Sequence, residues 1–359
     1  MILDEFFMQR ALDLAVLGEG NVAPNPLVGC VITQNNKIIG EGYHQKYGEA
    51  HAEVNAINSV LDKNLLKNST FYVSLEPCSH FGKTAPCADL LIKYAPKKVV
   101  ICNLDTNPLV AGKGVEKLKN AGIEVISGIL ETEGRFINRR FFTFMEEKRP
   151  YIFLKWAQTN DGFLAQTNNL NDTNNIIQNS HNKQISNPHT RPYTHKWRTH
   201  EAAIMVGTNT AKVDNPRLDA RFWVGNNPIR IFIDKNLSIN AKSHLLDQKI
   251  PTLCYNFLKN ETKDNLIFVR LEENRENKSN DFLENILEDL YKRKILSVMV
   301  EGGTTLLNAF LEKDIWDEIV VFQSEKQFFE GIKAPKLNIS PSKIIPIQKD
   351  NLLHYFKNK

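Results

Sequence analysis

Helical and strand-like segments alternate through the first 146 of 359 residues, which restricts the first half of the chain to a sheet with helices packed on its faces. Residues 4–18 have helical spacing, with Phe6, Phe7, Ala11, Leu14 and Ala15 on one side. Two strand-like runs, Val28–Thr33 and Lys37–Gly42, are joined by a turn at Gln34-Asn35-Asn36. The alternation continues as helix Ala50–Leu61, strand Thr70–Leu75, helix Ala88–Tyr94, strand Lys97–Cys102, helix Gly114–Ala121 and strand Ile123–Ser127. A single helix over Glu131–Met145 closes it. The basic, proline-containing stretch Glu147-Lys148-Arg149-Pro150 marks a boundary, so the expected domains are 1–146 and 150–359.

The second half is again α/β. Strands are expected at Tyr151–Ala157, Ala203–Gly207, Ile229–Asp234, Thr252–Tyr255, Ile267–Leu271, Ser297–Glu301 and Glu318–Gln323, with helices at Asp281–Tyr291 and Thr305–Leu311. An Asn-rich stretch at 167–183 has too little apolar surface to fold on itself and reads as a mobile loop. The halves share no internal repeat.

Composition excludes several classes of function. The net charge is only +4, from 45 basic and 41 acidic residues, too weak to imply nucleic acid or an acidic membrane as partner. The N-terminus carries acids where a secretory signal needs a basic segment, and no run reaches the ~18 apolar residues of a membrane helix. A soluble, cytoplasmic protein is expected. Five cysteines spread over the chain argue against a disulfide scaffold and leave metal binding or inert burial.

The chemistry concentrates in His51-Ala52-Glu53, Pro77-Cys78 and Pro86-Cys87. One imidazole and two thiolates suit Zn²⁺, and three protein ligands leave a fourth position for water, as in catalytic rather than structural zinc sites. His51 and Cys87 fall where helices begin, which favours a thiolate at Cys87. Glu53, two residues from His51, can reach a metal-activated water without ligating the metal and shuttle its proton to a departing amine. His-x-Glu followed by Pro-Cys pairs is the pattern of zinc deaminases. Cys30, Cys102 and Cys254 lie in apolar strands and read as buried thiols. Eight residues separate Cys78 from Cys87, where compact deaminases have two, and the inserted loop carries His80 and Lys83. A basic loop beside the metal suits a substrate with an anionic group, such as a phosphate.

These segments, with Pro24-Asn25-Pro26-Leu27-Val28-Gly29 and Asp105-Thr106-Asn107-Pro108-Leu109-Val110-Ala111-Gly112-Lys113-Gly114, resemble the bifunctional riboflavin-biosynthesis deaminase–reductase family. The resemblance implies a cytidine-deaminase-like three-layer domain that removes the 2-amino group of a 2,5-diamino-6-ribosylamino-pyrimidinone 5′-phosphate. It implies zinc on His51, Cys78 and Cys87, Glu53 as proton shuttle, and substrate contacts at Asn25, His44, His80, Lys83, Asp105 and Asn107.

Residues alone say less about the second half. No G-x-G-x-x-G follows a strand, so a Rossmann dinucleotide site is not indicated. Gly302-Gly303, between a strand and a helix, can admit a pyrophosphate, and Arg198 with Arg221 can form a phosphate clamp. Lys155–Gly162, His195-Lys196-Trp197-Arg198, Asp214-Asn215-Pro216-Arg217-Leu218 with Arg221, and Glu301-Gly302-Gly303 resemble the reductase half of the same family. The resemblance implies a dihydrofolate-reductase-like α/β fold that uses NADPH to reduce the ribosyl group to ribityl. It places substrate contacts at Arg198, Leu218, Arg221 and Glu301, and cofactor contacts at Ala157, Thr210, Asp214, Gly302 and Gly303. Asp214 would also assist hydride transfer. Where the family has Ser-x-Trp-Ile-Thr, this chain has Asn182-Lys183-Gln184-Ile185-Ser186. Assembly into a homo-oligomer through the reductase half is part of the same expectation. The competing reading is a nucleic-acid or nucleoside deaminase with a non-catalytic C-terminal binding domain, which the near-neutral charge disfavours. A zinc-stabilised scaffold would close its metal shell with a fourth ligand and have no use for Glu53.

Overall fold

The computed structural model describes residues 2–79, 86–106, 111–166, 185–272 and 281–357. The Asn-rich stretch at 167–183 lies outside them. The chain divides into two compact units, Met1–Arg149 and Pro150–Lys359, each with its own sheet and core.

In the first unit the order is α1 (Ile2–Val16), β1 (Gly29–Gln34), β2 (Lys37–Tyr43), α2 (Ala52–Ser59), β3 (Thr70–Leu75), α3 (Cys87–Tyr94), β4 (Lys98–Asn103), α4 (Lys113–Asn120), β5 (Glu124–Ser127), α5 (Glu131–Ile137) and α6 (Arg139–Glu147). The strands form one sheet ordered β2-β1-β3-β4-β5, with β3, β4 and β5 parallel and β1 antiparallel to both its neighbours. The two-residue period of the strands sorts their side chains into two layers. Cys30, Ile32, Phe71, Val73, Val99 and Ile101 meet Ala56 and Ile57 of α2 and Leu91 of α3. On the other face Val31, Tyr72, Val100 and Cys102 meet Phe7, Met8, Ala11 and Leu12 of α1. Hence the unit has three layers, helix–sheet–helix. The β1–β2 turn is Asn35-Asn36, both left-handed at φ 50 and 60, a geometry asparagine tolerates and hairpin twist requires.

The helix expected over Glu131–Met145 is instead two helices, broken at Asn138 (φ −97, ψ 17). Asn138 is buried, and its amide is fully engaged elsewhere. Its Oδ1 accepts from Leu27 N at 2.8 Å and its Nδ2 donates to Leu27 O at 2.8 Å. The break thereby fastens the segment carrying Asn25.

The second unit contains β6 (Tyr151–Gln158), β7 (Phe163–Ala165), α7 (Arg191–His200), β8 (Ala203–Val206), α8 (Thr208–Asp214), β9 (Ile229–Ile233), β10 (Thr252–Asn256), β11 (Glu261–Lys263), β12 (Leu266–Arg270), α9 (Asp281–Lys292), β13 (Ser297–Val300), α10 (Thr304–Glu312), β14 (Glu318–Gln323), β15 (Ile332–Lys333), β16 (Lys343–Ile347) and β17 (Asp350–Phe356). Ten strands make one sheet, ordered β11-β12-β10-β9-β8-β13-β6-β14-β17-β16, while β15 and β7 pair separately. From β12 to β14 the neighbours are parallel, and the β16–β17 hairpin extends the sheet antiparallel. Ile152, Leu154, Met205, Ile231 and Val300 pack on α9 and α10 through Ile286, Leu290, Leu307 and Phe310. The expected strands and the helices α9 and α10 are present; α7, α8, the short strands β7, β11 and β15, and the terminal hairpin are additions.

Candidate active sites

Two sites emerge, one in each unit. In the first, the loops leaving the carboxyl ends of parallel strands β3 and β4 converge with the start of α2, the usual place for ligands in open α/β sheets. His51 is the residue before α2, in extended conformation (φ −73, ψ 166), and makes no side-chain cap bond to the helix. Cys78 follows β3, and Cys87 is the first residue of α3.

The ligand atoms of His51, Cys78 and Cys87 all lie within 4.8 Å of one another. His51 Nδ1 is 3.7 Å from Cys78 Sγ and 3.4 Å from Cys87 Sγ. Tetrahedral bonds of about 2.0–2.3 Å to nitrogen and sulfur put ligand atoms roughly 3.5–3.8 Å apart, so this donor set fits zinc. At the head of α3 the Cys87 N–H donates to Cys78 Sγ at 3.3 Å. Contact with the Cys87 thiol, aided by His51 and that N–H, lowers the Cys78 thiol to about 4, while Cys87 is raised by Cys78 and by burial. Two sulfurs and an imidazole this close make a place a dication can take. Glu53, in the first turn of α2, is only 3% exposed; burial and the neighbouring Cys78 push its carboxyl up to about 7.

A polar pair flanks the ligands. His44 Nδ1–H donates to Ala50 O at 3.0 Å, which leaves Nε2 to accept from Asn25 Nδ2 at 3.0 Å. Burial lowers the His44 pKa, so the ring stays neutral, and it meets the His51 ring edge-on at 5.4 Å. Asp105 follows β4, its backbone N–H donating to Glu76 Oε2 at 3.2 Å. His80, Lys83 and Asn107 lie outside the described residues.

The second site is a cleft of about 1000 Å³. It is lined by Arg198, Leu218, Arg221 and Glu301, expected as substrate contacts. Ala157, Thr210, Asp214, Gly302 and Gly303, expected as cofactor contacts, line it as well. Gly303 N–H donates to Thr210 Oγ1 at 3.1 Å, joining α8 to the start of α10. A Cβ on Gly302 would lie 3.2 Å from Leu306, closer than most side chains tolerate. Of the segment 182–186, residues 182–184 are outside the described residues, while Ile185 and Ser186 reach the cleft wall.

Arg198 and Arg221, the arginine pair read from the sequence, both line the cleft and both meet carboxylates. Arg198 turns its fork onto Glu301, Nε to Oε1 at 2.8 Å and Nη2 to Oε2 at 2.9 Å, and its Nη1 donates to Asp219 O at 2.8 Å. Lys155 Nζ approaches Glu301 Oε2 at 3.5 Å. Against burial, which pushes it up, Arg198 and Lys155 hold the Glu301 carboxyl down at about 2. Arg221 pairs with Asp219, and Arg217 reaches the same carboxylate at 3.2 Å. The motif Lys155–Gly162 gives Lys155 no role of its own, and Asp219 lies outside every motif. His195, one turn before Arg198, likewise stands in a family motif with no role of its own. It lines the cleft, is 5% exposed, and its Nδ1 finds no partner among the described residues. Burial, with Arg198 and Arg221 nearby, lowers its pKa to about 4, so it is neutral at pH 7.

Comparison with known proteins agrees with this division. Residues 1–103 match the family described as the cytidine and deoxycytidylate deaminase zinc-binding region, and residues 150–326 match the RibD C-terminal domain. The riboflavin biosynthesis protein RibD of Aquifex aeolicus is 40% identical over 94% of this chain and 91% of its own length. A solved structure of Acinetobacter baumannii RibD superposes with a TM-score of 0.86 at 30% identity, covering 99% of both chains. A structure from Thermotoga maritima, described as a diaminohydroxyphosphoribosylaminopyrimidine deaminase/5-amino-6-(5-phosphoribosylamino)uracil reductase, gives 0.80 at 34% identity over 98% of both chains.

Proposed function

The chain belongs to the RibD family, and from that premise we propose which of its residues carry each of the family's two reactions and on what substrate. It is a bifunctional enzyme of riboflavin biosynthesis, a zinc-dependent deaminase and an NADPH-dependent reductase acting on a small pyrimidine. We assign the deaminase to the unit Met1–Arg149 and the reductase to Pro150–Lys359. The substrate assigned is the diaminopyrimidinone ribosyl phosphate, first deaminated and then reduced to the ribityl compound, the chemistry named for the Thermotoga maritima relative.

The observation that carries the first assignment is the set of three ligand atoms within 4.8 Å beside a buried Glu53. His51, Cys78 and Cys87 would hold the metal, which when bound supplies the Lewis acidity that makes water nucleophilic near neutral pH. Glu53 takes the proton of the attacking water on a carboxylate oxygen and delivers it to the departing amino nitrogen. Neutral His44, fixed by Ala50 O, holds Asn25 by its amide, so that Asn25, with Asp105, His80, Lys83 and Asn107, can read the edges and anionic group of the substrate.

In the cleft, NADPH would lie along Ala157, Thr210, Asp214 and Gly302-Gly303 and supplies the hydride. Glu301 holds Arg198 and Lys155 as one charged cluster against the substrate, Leu218 shapes the wall, and Arg221 meets the phosphate. Asp214 delivers the proton to the oxygen of the opening sugar as the hydride arrives. This reading also carries a cytoplasmic enzyme whose copies associate through the reductase unit, which sedimentation would check.

A paired assay of the zinc-loaded protein tests it. Ammonia is expected without NADPH, and NADPH oxidation only after deamination. Ammonia with no NADPH oxidation would overturn the reductase assignment, and no ammonia from zinc-loaded protein would overturn the substrate.

A further inference from the structure

We infer that Glu76 is a positioning residue of the deamination reaction, its carboxylate holding Asp105 against the turn that carries Cys78. The inference rests on the reading above, in which Asp105 contacts the substrate.

Glu76 lies between the last residue of β3 and Pro77-Cys78, and its own N–H continues the β3–β4 pairing by donating to Asn103 O at 2.9 Å. It is 4% exposed, and among the described residues no lysine or arginine pairs with it. Four peptide N–H groups take the place of a cation. Oε1 accepts from Gly114 N at 2.9 Å and Val115 N at 3.2 Å. Oε2 accepts from Gly112 N at 3.0 Å and Asp105 N at 3.2 Å. Such bonding fixes all four donors about one carboxylate.

The bonds join three pieces of chain that the reaction needs together. Asp105 leaves β4, Gly112 to Val115 open α4, and Glu76 precedes a metal ligand by two residues. Gly114 is pressed so close to this turn that a Cβ there would lie 2.2 Å from Pro77 O. A residue needed only to cap α4 would require the bonds to Gly112, Gly114 and Val115. The bond to Asp105 N reaches back across the segment and sets where that aspartate leaves the sheet relative to Cys78. Shape alone does not suffice: a glutamine amide would turn its NH₂ toward two N–H donors, losing two acceptor sites and opposing donor to donor.

Glu76→Gln, Asp105→Ala and the double variant, full-length and zinc-loaded, test this by ammonia release, zinc content and NADPH turnover on deaminated substrate. Glu76→Gln is expected to raise the KM for deamination about tenfold or more, with kcat much less changed and zinc content and reductase turnover kept. The double variant is expected to match Asp105→Ala, because both changes remove the same placement. Additive effects, an unchanged KM or loss of zinc in Glu76→Gln would overturn the inference. If that variant does not fold, Glu76→Asp stands in. It keeps the charge but falls one methylene short, and a wild-type KM for it would equally overturn the inference. Wild-type protein that releases no ammonia would overturn the deaminase reading itself, an outcome distinct from all of these.

Discussion

Glu301 shows what single residues owe to partners far away in sequence. Its carboxylate is held by Arg198, 103 positions earlier, and by Lys155, 146 positions earlier. Burial raises a carboxyl and the two cations lower it, and the cations win, leaving it at about 2. A carboxyl depressed in the folded state adds stability that is fully present above its unfolded pKa of about 4.3 and is lost as pH falls through the folded value. The stability difference between wild type and Glu301→Gln is therefore expected to be largest above about pH 4.5 and to vanish toward pH 2. Urea unfolding across that range measures it; a difference that grows as pH falls would contradict the assigned charge. The metal motif was legible because its order and residue types specify one chemistry. The roles of Lys155, Asp219 and His195 were not, because nothing in local sequence says which cation a distant carboxylate selects.

Among the elements, those with apolar stripes were legible and those whose buried face is polar were not. Helix α7 buries Thr194, His195, Arg198 and Thr199, so it carries no hydrophobic period although it supplies the cleft with two of its principal side chains. Helix α8 buries only Ala211. The break between α5 and α6 was hidden because the apolar pattern runs on through Phe141 and Phe142, while the cause is a bond from Asn138 to Leu27, 111 residues away. Asn138→Ala leaves the Leu27 N–H and C=O without these bonds and is expected to destabilise the fold by about 1–3 kcal/mol. It should also raise the deaminase KM, because Leu27 anchors the segment bearing Asn25. Urea unfolding paired with the ammonia assay checks both; an unchanged KM in a destabilised protein would detach Asn138 from the site.

For the whole molecule, alternation announced α/β architecture in both halves, and composition announced a chain able to build two cores. Strand order was not legible, since pairing such as β8 between β9 and β13 is set by three-dimensional packing rather than by neighbours in sequence. The β16–β17 hairpin is not legible in sequence because β16 is exposed at Lys343, Ile344 and Pro346, with little alternation to mark it. Two units with separate cores, each assigned its own reaction, carry a consequence. Stripping the metal with a chelator is expected to abolish ammonia release and lower the thermal stability of the first unit, since a ligand that binds only the folded state stabilises it. NADPH turnover on deaminated substrate should persist; its parallel loss would contradict two independent catalytic units.

We assign the moving proton to Glu53 and the metal to His51, Cys78 and Cys87. Glu53→Gln tests it most directly, with zinc content, ammonia release and NADPH turnover on deaminated substrate measured on one preparation. We expect zinc retained at one ion per chain, ammonia release reduced roughly 10²- to 10⁴-fold, and reductase turnover unchanged. Ammonia release near the wild-type rate, or loss of zinc with the activity, would contradict the account.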